Sequence, residues 1–134
     1  MTVSEMVAVI IITILGSIII LQTMGHPAHF ALEKVYQRQW CAEVSGTTEY
    51  LLPDKTRVDC LTPGHAIEFD FAEKWAESIG QALYYAEMTH RTPGVVLILE
   101  HRRDVFYILR LKTVAEKHGI SVWFMKKEDL KWEN

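Results

Sequence analysis

Three carboxylates stand close together in the middle of the chain: Asp59 in RVDCL, and Glu68 and Asp70 in HAIEFDF. Asp and Glu offer hard oxygen ligands, and a cluster of them suits Mg²⁺ or Mn²⁺ better than a softer transition metal. The runs that carry them have strand character, so Glu68 and Asp70 project from one face while Ile67 and Phe69 project from the other. Pairing of the two strands brings Asp59 to the same place. Like charges facing one another across a small sheet are costly, and a solvent-facing strand surface is the plain alternative to a cation site. In the segment that follows, Lys74, Gln81 and Tyr85 fall within about 40° of each other at 100° per helical residue, beside a core face of Trp75, Ile79 and Leu83. An amine, an amide and a phenol on that stripe can look into the carboxylate cleft.

These residues need a scaffold. After Pro27, AHFALEKVYQRQW predicts a helix with Phe30, Val35 and Trp40 among its apolar positions, ending before Ser45-Gly46. TTEYLL, RVDCL and HAIEFDF, separated by Pro53-Asp54-Lys55 and Thr62-Pro63-Gly64, predict a three-stranded antiparallel meander. Trp75, Ile79, Ala82, Leu83 and Ala86 mark a helix over 72–87. VVLIL has the unbroken apolar character of a central strand covered on both faces. A further helix over 104–118 places Ile108, Leu111 and Ala115 on one side and is capped by Gly119. ISVWFM is a last strand, and from Lys126 on the chain reads as a solvated tail. The order α-β-β-β-α-β-α-β predicts an α/β fold with a mixed central sheet.

Ahead of this domain, no charged residue interrupts VAVIIITILGSIIIL from Val7 to Leu21. Extended over 6–24, a helix of about 28 Å nearly matches the ~30 Å hydrocarbon core of a bilayer. Residues 1–24 are therefore read as a transmembrane anchor or signal-like segment, and 25–134 as the soluble domain. The only charge before the run is Glu5, where a secretory signal would carry cations, and TMGHPAHFA has no clean A-x-A site. A single-pass anchor leads; a cleaved signal with export to the periplasm is the alternative. Lys34 and Arg38 follow the run and none precedes it, which favours a cytoplasmic domain by the positive-inside rule. Without Glu5 the domain holds 14 basic and 16 acidic side chains, so no broad cationic field exists for gripping nucleic acid. His101-Arg102-Arg103 and Lys126-Lys127 are local candidates for phosphate contacts. Cys41 and Cys60 are compatible with two thiols or one disulfide. His26-x-x-His29 has the spacing of a metal pair but no further ligand nearby, and reads as a juxtamembrane turn.

The arrangement of helix, hairpin with Asp59, strand with Glu68-x-Asp70, and helix with Gln81-x-x-x-Tyr85 resembles the PD-(D/E)XK nuclease superfamily, especially its recombination-exonuclease and Holliday-junction-resolvase branches. The likeness spans about Glu33 to Met125. It implies a restriction-endonuclease-like αβββαβ core and Mg²⁺- or Mn²⁺-dependent hydrolysis of phosphodiester bonds in DNA. By the same resemblance Asp59 and Glu68 are metal ligands, Gln81 and Tyr85 support the site, and Glu33, Glu43 or Glu49 is an accessory upstream acid. Arg102 and Arg103 would contact nucleic acid. The family's lysine position holds Asp70, which becomes either a third ligand or the mark of a domain without catalysis that binds nucleic acid or a protein at the membrane. Lys74 is the candidate to supply the amine from the next helix.

Overall fold

Alternation over 65–71 and the unbroken apolar run at 95–99 demand cover on both sides of a sheet, and the chain provides it with one helix on one face and two on the other. The computed structural model describes residues 2–8, 10 and 28–131. Over 28–131 the order is α1 (Glu33–Glu43), β1 (Thr47–Leu51), β2 (Arg57–Leu61), β3 (His65–Phe71), α2 (Trp75–Thr89), β4 (Thr92–Leu99), α3 (Val105–His118) and β5 (Ser121–Lys126). Short 3₁₀ turns, Ala72–Lys74, Arg102–Asp104 and Lys127–Asp129, follow β3, β4 and β5. The sheet order is β1-β2-β3-β4-β5. The first three strands are antiparallel neighbours, and β4 and β5 continue in parallel from β3. The expected α/β class, mixed sheet and element order all hold.

On one face, Tyr36 and Cys41 of α1 pack with Ile67, Phe69, Phe71, Val96 and Ile98. On the other, Ala82 of α2 and Ile108, Leu111 and Ala115 of α3 cover Val95, Leu97 and Leu99. Each large aliphatic or aromatic side chain so buried contributes about 1.5–3 kcal/mol. Gly119 ends α3 in the left-handed region at φ 65°, the conformation that costs glycine least.

Several expectations need correction. α1 starts at Glu33 rather than directly after Pro27, and its buried residues are Tyr36, Gln37 and Cys41, while Phe30 and Val35 are exposed. The Phe30 and Ala31 amides donate to the Glu100 carboxylate, at 2.9 and 3.3 Å, and this contact holds the segment in a bend ahead of the helix. Lys126 belongs to β5, and the residues after it are not a free tail. Leu130 is buried in the core and Lys131 Nζ lies 2.8 Å from Glu43 Oε1. Cys41 and Cys60 form a disulfide joining α1 to β2. The expected membrane segment falls almost wholly outside the described residues, among which no helix is long and apolar enough to cross a membrane.

Candidate carboxylate site

The site grows out of a break in the sheet. β2 pairs with β3 only at Cys60↔Ile67 and Leu61↔Ala66. Beyond that point the Asp59 side chain replaces a ladder bond, Oδ2 accepting from the Phe69 amide at 2.8 Å. On its other side Asp59 stands opposite Glu49, since the flanking pairs are Thr48↔Cys60 and Tyr50↔Val58. Glu49 has φ 54°, a conformation costly for a residue with a side chain. Gln37 of α1 braces this opening: its amide donates to Glu49 Oε1 at 3.0 Å and to the Asp59 carbonyl at 2.7 Å. No sequence pattern singled out Gln37. Its place one helical turn after Glu33 was the available signal.

Glu68 and Asp70 sit on a strand buried on both faces, so the solvent-facing alternative is overturned: they are 5 % and 3 % exposed. Glu68 Oε2 and Asp70 Oδ1 are buried without hydrogen-bond partners. Lys74 Nζ lies 3.5 Å from Asp70 Oδ1, an ion pair rather than a hydrogen bond, and its side chain remains half-exposed. Burial drives all three carboxyls toward their protonated forms. Asp59 and Glu68 are both pushed up by it, and the nearby Asp59 and Asp70 charges raise Glu68 further. Asp70 is pushed up to about 7 by burial, against the opposing pull of Lys74. Glu33, at the start of α1, is raised by burial and then by Asp59, which makes it a fourth member of the electrostatic cluster.

Compared with known protein families, with curated proteins and with solved structures, the chain matches none.

The remaining candidates divide. Tyr85 is buried, and its hydroxyl is pushed up to about 12 by burial and then by the charges of Glu68 and Asp59, so it borders the cluster. Ser78, on the same stripe of α2, is buried and donates to the Trp75 carbonyl at 2.7 Å. Gln81 is exposed. Glu43 pairs with Lys131 and takes no part, while Glu49 is shared between Gln37 and Arg57, whose Nη1 lies 3.5 Å away. Arg102 and Arg103 are exposed on the turn after β4, and Arg102 lines a separate cavity of about 700 Å³ with Lys126 and Lys127. His29 stacks on Phe71 and contacts Glu100 and Glu73 at 3.0 and 3.3 Å, while His26 lies outside the described residues.

In this conformation no three His, Cys, Asp or Glu side chains among the described residues converge as metal ligands. The donor set nevertheless suits a hard divalent cation, because the two buried oxygens that accept no hydrogen bond are what such an ion would satisfy. Binding there would displace protons from carboxyls that hold them above their ordinary range.

Proposed function

We propose that residues 28–131 form a divalent-cation-dependent nuclease domain of restriction-endonuclease-like architecture, hydrolysing phosphodiester bonds of DNA. The observation that carries this reading is the pair of buried carboxylate oxygens on Glu68 and Asp70 that accept no hydrogen bond, the Asp70 one facing the Lys74 ammonium in an ion pair, set beside Asp59 where β2 opens from β3. A buried carboxylate oxygen without a hydrogen bond is expensive and calls for a role. The αβββαβ order, with β4 parallel to β3, supports the same reading.

Asp59, Glu68 and Asp70 would hold Mg²⁺ or Mn²⁺, with Glu33 alongside. The ion would supply Lewis-acid polarisation of a phosphoryl oxygen and a more acidic bound water. Lys74 places its positive charge beside the carboxylates and within reach of solvent, where it can stabilise charge that develops on a phosphate. Tyr85, packed with Val58, Leu61 and Ala66, lies near enough for the charges of Glu68 and Asp59 to raise its hydroxyl, and Gln37 holds the Asp59 strand in position. The N-terminal run would tether the domain to a membrane. The Cys41–Cys60 disulfide favours the exported, periplasmic-type placement over the cytoplasmic one, because such bonds persist in oxidising compartments.

Cleavage of single-stranded, duplex and branched DNA with Mg²⁺ or Mn²⁺ tests the reading. Lys74→Ala should lower turnover by roughly a hundredfold while leaving Mn²⁺ binding nearly intact by calorimetry. One observation favours a second reading, a nuclease-fold module without turnover: Asp70 occupies the lysine position and engages Lys74 itself. Mn²⁺ binding by the wild type with no cleavage of any substrate would select that module.

A further inference from the structure

The end of the domain where β4 and β5 finish carries a surface that the carboxylate site does not use. Its centre is the cavity of about 700 Å³, floored by Leu99, Ile108 and Phe124 and rimmed by Arg102, Lys126 and Lys127. On α3, next in sequence to the lining residues Val105 and Ile108, Phe106 and Leu109 are 61 % and 59 % exposed. Phe30 is also exposed, with Lys127 Nζ 5.9 Å from its ring centre. Among the described residues Arg102, Arg103, Lys126 and Lys127 have no carboxylate within ion-pair distance. The acids lining it are Glu100, Glu128 and Asp129; Glu100 is taken up by the hydrogen bonds of the N-terminal segment and Asp129 by the Lys126 amide at 2.7 Å. Exposed aromatic and aliphatic side chains interleaved with unpaired cations are the composition of a surface that enters a lipid headgroup layer.

The chain's own path says which partner to choose. The segment after the apolar run is pinned to this same end, because Glu100 at the close of β4 accepts hydrogen bonds from the Phe30 and Ala31 amides, the Tyr36 hydroxyl and His29. Burial works against the Glu100 charge, yet these donors together hold its carboxyl below the usual range, so the latch is a stable anion site. From Met24 to Ala28 is four peptide steps, a reach of at most about 14 Å. If the apolar run lies in a bilayer, this end cannot be far from it.

We propose that the Phe106 end of the domain, with its Arg102, Lys126 and Lys127 rim and the neighbouring Arg103, docks on the surface of an anionic phospholipid bilayer. The proposal rests on the membrane-tether reading of the N-terminal run. It replaces nucleic acid with lipid headgroups as the phosphate partner of Arg102 and Arg103. Docked this way, the domain is held in one orientation, with the turn at Gly64 directed away from the membrane, since β3 runs from His65 there toward Phe71 at the docked end.

The full chain is reconstituted into phosphatidylcholine vesicles with or without phosphatidylglycerol, carrying a nitroxide at Phe106→Cys or at Gly64→Cys. A side chain at Gly64 meets only open space. With phosphatidylglycerol present, the label at 106 should be relaxed more by oxygen, which concentrates in lipid, than by a water-soluble nickel chelate. The label at 64 should show the reverse. Arg102→Glu with Lys127→Glu should cut the lipid-facing population at 106 by roughly tenfold or more, as expected for reversing two charges at an anionic surface. Vesicles that float with the protein while the label at 106 stays in water overturn the docking surface and leave the tether standing. Protein that does not float removes the tether and the docking together. Shielding of 106 only when duplex DNA is added assigns the face to nucleic acid and overturns the lipid proposal.

Discussion

Replacing Asp70 by Asn keeps the side chain's shape and removes only its ability to ionise, so it reports what the buried charge costs. Asp70 titrates at about 7 in the folded protein against an ordinary 3.8, because burial outweighs the Lys74 charge. In the unfolded chain it ionises near 3.8. Below that pH both states are protonated and the group is neutral toward stability. As pH rises the unfolded state ionises first, so stability falls through the window from about 4 to about 7 and stays low above it. At ~1.4 kcal/mol per pH unit the full penalty is about 4 kcal/mol, and water reaching the exposed Lys74 side reduces it to roughly 2–3. Asp70→Asn should therefore match the wild type near pH 4 and exceed it by about 2–3 kcal/mol at pH 8. Urea unfolding of the full chain in detergent with EDTA, at both pH values, measures the difference. Equal stability of the two proteins at pH 8 would mean that Lys74 fully offsets the burial, and the argument from trapped protons would fail.

Two other substitutions test the supports of the site. Gly46→Ala should destabilise by about 1–3 kcal/mol in urea, since its methyl would sit 2.5 Å from the Cys60 sulfur and 2.7 Å from that of Cys41; an unchanged midpoint would show that α1 can shift freely. Tyr36→Phe removes a buried 2.8 Å hydrogen bond to the Glu100 carboxylate and should cost about 1.5–3 kcal/mol, with faster hydrogen exchange at the Phe30 and Ala31 amides; protection equal to wild type would mean that the backbone donors suffice alone.

Local periodicity carried most of the fold. The alternation of HAIEFDF put Glu68 and Asp70 on one face, and VVLIL fell on a strand covered from both sides, as its unbroken apolar run required. The helical stripe of Ile108, Leu111 and Ala115, with Gly119 after it, was equally direct. Periodicity does not report which distant group meets a given backbone amide. The start of α1 was misplaced because Glu100, far along the chain, takes the Phe30 and Ala31 donors. Gln37 was missed for a related reason: its partners are Glu49 and the Asp59 carbonyl, and only the opened sheet makes a glutamine useful there. The stripe of Lys74, Gln81 and Tyr85 was right in angle, yet the first pairs with Asp70, the last is buried among Leu52, Val58, Leu61 and Ala66, and Gln81 stays in solvent. An angular position on a helix says nothing about how far the sheet lies beneath it.

The Glu100 latch also imposes an order in time. Phe30 emerges from the ribosome 70 residues before the carboxylate that holds its amide. At 5–20 residues per second that gap lasts about 4–14 seconds, during which the connection between the apolar run and the domain can use the His29 contacts with Phe71 and Glu73 but not the Glu100 carboxylate. The sheet's last two strands, β4 and β5, are also made in or after this interval. The Glu100 part of this attachment is therefore completed late, with the end of β4, and a stall before Glu100 would leave the nascent chain with the His29 contacts but without the hydrogen bonds that Glu100 accepts from Phe30, Ala31 and Tyr36.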